Sequence, residues 1–218
     1  MAFGEKIPPF CFPETNTGIE IEIIGEALAL KGHKLIPKYF PLARVPVEFK
    51  VRRVDAAMTD LGAGEQGGYF ADPAVIYNNA IITLQKRQLK IHSPGDLQLL
   101  KISSFAGADA RYPAWLSAVR EQGRYFEENN QALQVIGLNN GKYDAVLSDV
   151  SIFRYFTLQL QHSGTPLQEF EVHNVFTPNP LDYRPVFRSE KIRDDFNAGL
   201  QALKNSGRYQ AIYDHYLQ

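Results

Sequence analysis

Two stretches of the chain match position by position. Arg53-Val54-Asp55-Ala56-Ala57-Met58-Thr59-Asp60 and Lys142-Tyr143-Asp144-Ala145-Val146-Leu147-Ser148-Asp149 both read basic, apolar, aspartate, alanine, two apolar residues, hydroxyl, aspartate. A short apolar run bounded by polar residues fits a strand buried on both faces of a largely parallel sheet. Ligands of open α/β sheets sit outside the carboxyl ends of the strands. The pair therefore predicts two similar α/β lobes that present Thr59-Asp60 and Ser148-Asp149 at matching places. If the lobes face each other, those residues line one cleft. The competing account is a chance recurrence of strand-then-polar over a short stretch.

The rest of the chain alternates helices and strands around an inserted block. Thr17 with Glu20 reads as a capping box. It opens a helix from Gly18 to Lys31, with Ile19, Ile23, Ala27 and Leu30 on one face and Gly32 as its stop. A strand over 34–40 and a helix over 42–50 follow, then the first repeat strand. Residues 59–72 are turn-rich, and 73–91 read as extended. Ser93-Pro94 starts the second block, with strands at 99–105 and 125–127, helices from Pro113 to Gly123 and Asn130 to Asn140, the second repeat strand, and a helix over 150–159. A strand over 168–176 leads to Tyr183–Phe187. Ser189 then caps a helix with Ile192, Phe196, Leu200 and Leu203 inward. Gly207 breaks it before a last helix. Chain crossings near 83–88 and 174–180 would divide the molecule into a discontinuous lobe 1 (1–84 and 179–218) and a lobe 2 (85–178). Two crossings make a hinge.

Composition removes other classes. The 218 residues are 44% hydrophobic, enough for a sizeable core. The 23 basic and 24 acidic residues give a net charge of -1, which argues against a nucleic-acid partner. No apolar run is long enough for a membrane span. The opening residues do not read as a signal peptide. The one cysteine, Cys11, allows no internal disulfide, and its Pro-Phe surroundings predict a packed thiol. His33, His92, His162, His173 and His215 show no metal-ligand spacing, and no phosphate-binding or dinucleotide motif occurs.

Four stretches resemble the bacterial extracellular solute-binding proteins of the amino-acid type, the receptors of ABC importers. They are Pro8-Pro9-Phe10 with Gly18-Ile19-Glu20-Ile21-Glu22-Ile23, Val54-Asp55-Ala56-Ala57, Gly141 through Asp149, and Tyr183 to Phe187 with Gly207-Arg208-Tyr209-Gln210-Ala211-Ile212-Tyr213. The resemblance implies the two-lobed periplasmic-binding-protein fold and a small polar, amino-acid-like solute in the interlobe cleft. It also implies a membrane permease as partner, a periplasmic location, a monomer, no cofactor and no catalysis. Two alternatives stay open: a ligand-sensing domain of a membrane receptor kinase or cyclase, and an enzyme resembling cyclohexadienyl dehydratases. The latter needs a positioned general acid, and no residue is marked for one. There is one departure. The family usually carries an arginine for the ligand carboxylate after the first Asp-Ala strand, but Thr59 through Gln66 holds none. That puts a standard α-amino-acid ligand in question.

Candidate site residues follow. Asp149 ends a strand before a helix, and the resemblance makes it an acceptor for a ligand ammonium; its plain role is a helix N-cap. Asp60, with Thr59, stands at the equivalent place in lobe 1, against a simple turn. Arg44 lies where a strand gives way to a helix and could hold a carboxylate bidentately, against a structural ion pair. Ala108, Asp109 and Arg111 lie where the resemblance places helix-start amides against a carboxylate, against a solvated turn. Phe10, Phe12, Phe40, Phe70 and Tyr77 could form aromatic walls or simply core, with Phe10 the strongest because a Pro-Pro loop is seldom core. Glu20 and Glu22 read as solvated or capping.

Overall fold

The computed structural model describes residues 1–59, 67–179 and 181–218. The chain divides into two compact units, Met1–Ile76 with Asn179–Gln218, and Tyr77–Pro178. In chain order the first unit supplies β1 (Ala2–Gly4), α1 (Ile19–Ala29), β2 (Lys38–Phe40), α2 (Val45–Lys50), β3 (Ala56–Thr59) and β4 (Tyr69–Phe70). The second supplies β5 (Asn79–Leu84), β6 (Ile102–Ser104), α3 (Ala108–Arg111), α4 (Pro113–Glu121), β7 (Tyr125–Glu127), α5 (Gln131–Asn139), β8 (Ala145–Asp149), α6 (Val150–His162) and β9 (Phe170–His173). The chain then returns to the first unit with β10 (Arg184–Phe187), α7 (Glu190–Asn205) and α8 (Arg208–Leu217).

Both sheets are mixed and share one topology. The first has the order β2-β1-β3-β10-β4 and the second β7-β6-β8-β5-β9. The two repeat strands, β3 and β8, hold the same middle place. Each pairs in parallel with the strand two before it in the chain, β1 or β6, and antiparallel with β10 or β5. Because the side chains of a strand alternate, a middle strand must be apolar on both faces. In the second unit Ala145 and Leu147 join the cluster with Ile81, Ile102, Leu116 and Val119. Val146, between them, joins the opposite cluster with Ile82, Val135, Leu138 and Phe153.

The stretch 79–84 belongs to the second sheet. Asn79 through Thr83 pair with Asp149 through Ala145, and Ile81 through Leu84 with His173 through Phe170. The sequence reading ended its first lobe at 84, whereas the passage lies at Ile76/Tyr77. Ala80 to Leu84 are buried at every position, and β8 and β9 supply the neighbours such a strand needs.

In the first unit α2 covers one face of the sheet through Val45 and Phe49, over Ala2, Ala57 and Val186. Helix α1 buries Ile19, Ile23, Ile24 and Ala27, and α7 buries Phe196, Leu200 and Leu203. These helices touch backbone to backbone, since a Cβ on Gly199 would stand 2.0 Å from the Ala27 carbonyl oxygen. The start of α1 differs from expectation. Gly18 is its N-cap at φ 122° with no side-chain cap, and its N–H donates to the Tyr216 hydroxyl at 2.9 Å and the Glu22 carboxylate at 3.4 Å. A glycine is required there because a Cβ would lie 2.4 Å from the Phe10 carbonyl oxygen. Glu22 therefore takes the reaching-back role, and Glu20 turns inward to 4% exposure.

Candidate functional site

In the second unit Asp149 closes β8 at 3% exposure and caps α6. One carboxylate oxygen accepts the Ile152 N–H at 3.0 Å and the other the Asn78 N–H at 2.7 Å. Burial pushes its pKa up to about 6, against the pull of those N–H donors. The carboxylate thus ties the end of the repeat strand both to the helix that follows and to the start of β5. Its cross-strand partner Asn79 donates through Nδ2 to the Tyr112 hydroxyl at 3.0 Å.

The turn at 107–111 is largely engaged with its own unit. Gly107 N–H donates to the Glu127 carboxylate at 2.8 Å and Asp109 N–H to the Tyr125 hydroxyl at 3.3 Å. Asp109 pairs with Arg120 and also accepts from the Ala110 N–H at 2.9 Å. Ala108 is fully buried. The Arg111 guanidinium lies 5.8 Å from the Tyr112 ring centre. Tyr112 in turn packs tilted against Phe176 at 4.3 Å, and Trp115 meets Phe176 edge-on at 5.1 Å. Nothing in the local sequence pattern marks this aromatic group. Tyr77, the candidate aromatic wall of this unit, is half-buried.

In the first unit Thr59 closes β3 at 3% exposure, and Asp60 lies outside the described residues. Thr59 lines a cavity of about 230 Å³ together with Leu42, Ala43, Pro46, Met58 and Tyr183. Arg44 is drawn elsewhere. Its Nε donates to Glu48 at 2.9 Å, and Arg53 reaches the same oxygen at 3.5 Å. The Arg44 hydrogen bond holds the buried Glu48 carboxyl below its ordinary range. Phe10 has no exposed surface, because its loop folds under the start of α1; its carbonyl accepts the Glu20 N–H at 3.0 Å. Phe12 stacks on Tyr216 at 5.9 Å, and Phe40 packs with Phe70 against the α2 cluster. Cys11 is buried, and burial, then the nearby Glu20 and Glu14 charges, push its thiol up to about 12.

The sequence pattern marks two residues at this end of the sheet, Tyr183 and Arg184, only as extended. Arg184 stands directly opposite Thr59 in the antiparallel pair of β10 and β3. Its guanidinium lies 4.9 Å from the Phe70 ring centre, and its Nε is buried with no hydrogen-bond partner among the described residues. The residue before it, Tyr183, is in the left-handed region at φ 53°, which a bulky side chain rarely occupies. The available sequence signal was Pro185, which biases the residue before it towards extended backbone. That predicts a strand at Arg184 but not what the strand faces. Among the described residues, no group of three or more His, Cys, Asp or Glu side chains could hold a metal ion. Nor is any helix among them long and apolar enough to cross a membrane.

Two mixed α/β sheets of one topology, each centred on a copy of the same strand, define a two-lobed periplasmic-binding-protein fold. The chain belongs to the bacterial extracellular solute-binding proteins, family 3, whose model matches residues 1–218. A curated relative, the arginine-binding periplasmic protein of Mannheimia haemolytica, is 26% identical over 84 residues, which is 38% of this chain and 35% of that protein. The match thus spans about a third of the relative's length. A substrate binding domain assigned to an amino acid ABC transporter of Streptococcus pneumoniae superposes with a TM-score of 0.68 at 19% identity, over 100% of this chain and 98% of that one. A histidine kinase sensor domain described as similar to periplasmic binding proteins also gives 0.68, at 17% identity over 99% and 94% of the two chains. The matched family is one of binding proteins, and its members bind small solutes.

Proposed function

We propose that this chain binds a small polar solute of the amino-acid class in the periplasm and delivers it to the membrane permease of an ABC importer. The observation that carries this reading is the family match over the whole sequence. The shared topology of the two units supports it, with the repeat strands closing on Thr59 and on Ser148-Asp149 at the carboxyl end, where α/β sheets hold ligands. The reading needs no cofactor and no chemical step.

Native mass spectrometry of the purified protein, followed by thermal shift against each standard L-amino acid, tests it. The expected result is a co-purifying small mass or stabilisation by one or a few of the amino acids. No bound mass and no shift with any of them would overturn the reading. A second reading, the sensor module of a membrane receptor kinase, is favoured by the similarity to the histidine kinase sensor domain. The gene decides between the two: a sensor is joined to a membrane helix and a signalling domain, whereas an importer receptor is not.

A further inference from the structure

We infer that Arg184 takes the acidic group of the solute, in a subsite at the carboxyl end of β3. The inference rests on the solute-binding reading above and names the residue through which the first unit recognises an anion. Directly opposed residues of an antiparallel pair project to one face, so Arg184 and Thr59 share a face. Two residues along each strand, Val186 and Ala57 are also directly paired, and they lie under α2. Arg184 and Thr59 thus continue the α2-covered face to the end of the strand. There the cavity of about 230 Å³ is lined by Thr59, across the sheet from Arg184, and by Tyr183, its neighbour along the chain.

Among the described residues no carboxylate pairs with the Arg184 guanidinium. A buried donor of a charged group without an acceptor is costly, and an oxyanion removes that cost by accepting from the guanidinium. The Nε of Arg184 is such a donor among the described residues. Five other arginines of the unit are committed, and Arg52 is exposed. Arg44 and Arg53 pair with Glu48, Arg193 with Glu190 and Asp194, Arg208 with Glu26, and Arg188 donates to the carbonyls of Phe49 and Val54. Arg184 instead rests on an aromatic face. A ring beneath a guanidinium fixes its plane and leaves its edge for bidentate contact with a carboxylate. The left-handed backbone of Tyr183 is a second sign, since strain of this kind clusters at ligand clamps. Arg184 is not the arginine that the resemblance would place after the first repeat strand, where this chain has none.

The test uses the full chain and the standard L-amino acids as probes. The tightest of them on the parent is titrated by calorimetry beside its decarboxylated amine, on the parent, on Arg184→Gln and on Arg184→Lys. On the parent the amine should bind about 10- to 100-fold more weakly than the acid, the worth of a charged hydrogen bond. Arg184→Gln should weaken the acid by a similar factor and leave the amine unchanged, closing the gap. Arg184→Lys, which keeps the charge but not the fork, should fall between. An acid that binds Arg184→Gln within about twofold of the parent overturns the inference and leaves the solute-binding reading standing. So does equal affinity of acid and amine on the parent, which needs no variant to fold. If no amino acid binds the parent, the reading fails and the inference with it.

Discussion

Glu20 sets a measurable pH dependence. The residue is 4% exposed, and its carboxyl makes no hydrogen bond or ion pair among the described residues. Burial pushes its pKa from the usual 4.5 up to about 8. An acid raised on folding stays protonated in the native chain while the unfolded chain ionises, so folding opposes its ionisation. Below about pH 4.5 both states are protonated and nothing is lost. As pH rises from there to about 8, stability falls by about 1.4 kcal/mol per pH unit, and above that the loss is complete at roughly 4–5 kcal/mol. Glu20→Gln removes the titration and keeps the shape. The variant should match the parent to within about 1 kcal/mol near pH 4.5, and exceed it by several kcal/mol, about 3–5, at pH 8. Urea unfolding of both proteins across that range is the assay, read as the difference between them. Asp149, raised to about 6, titrates in both and cancels, and Cys11, raised to about 12, stays neutral throughout. A difference that does not change with pH would refute the reasoning, because it would mean that the native carboxyl ionises as freely as the unfolded one.

Other substitutions test the packing and the caps. Gly199→Ala drives a methyl into the Ala27 carbonyl on a rigid partner helix, so urea unfolding should show a loss of about 1–3 kcal/mol or more. Asp149→Ala removes the cap of α6 and the acceptor of the Asn78 N–H, and should cost about 1–2 kcal/mol, read as a lowered Tm in calorimetry. The hydroxyl of Ser103, buried in the second sheet, has no partner among the described residues, so Ser103→Ala should be neutral or stabilising by about 1 kcal/mol in the same scan.

Local pattern determined much of this molecule. The repeat strands are legible because a buried middle strand needs apolar residues at every position and polar residues at its ends, and both requirements lie within a few residues. The helices of Gln131–Asn139 and Glu190–Asn205 are legible for a similar reason, since Asn130 and Ser189 cap them with their own side chains. The tertiary structure decided what depends on partners distant in sequence. Residues 79–84 read as extended either way, and only pairing with β8 and β9 assigns them to the second sheet. Glu20 and Glu22 read alike, yet the fold of the Pro8-Pro9-Phe10 loop under α1 buries one and leaves the other to the helix start. The local pattern at Arg44 carries no sign that Glu48, one helical turn on, is buried beside it and pairs with its guanidinium. Arg184 read as an ordinary strand residue because its meaning comes from Thr59, on a strand far away in the chain. A side chain's burial and charge partners are sums over neighbours in space, and a linear pattern carries only the neighbours along the chain.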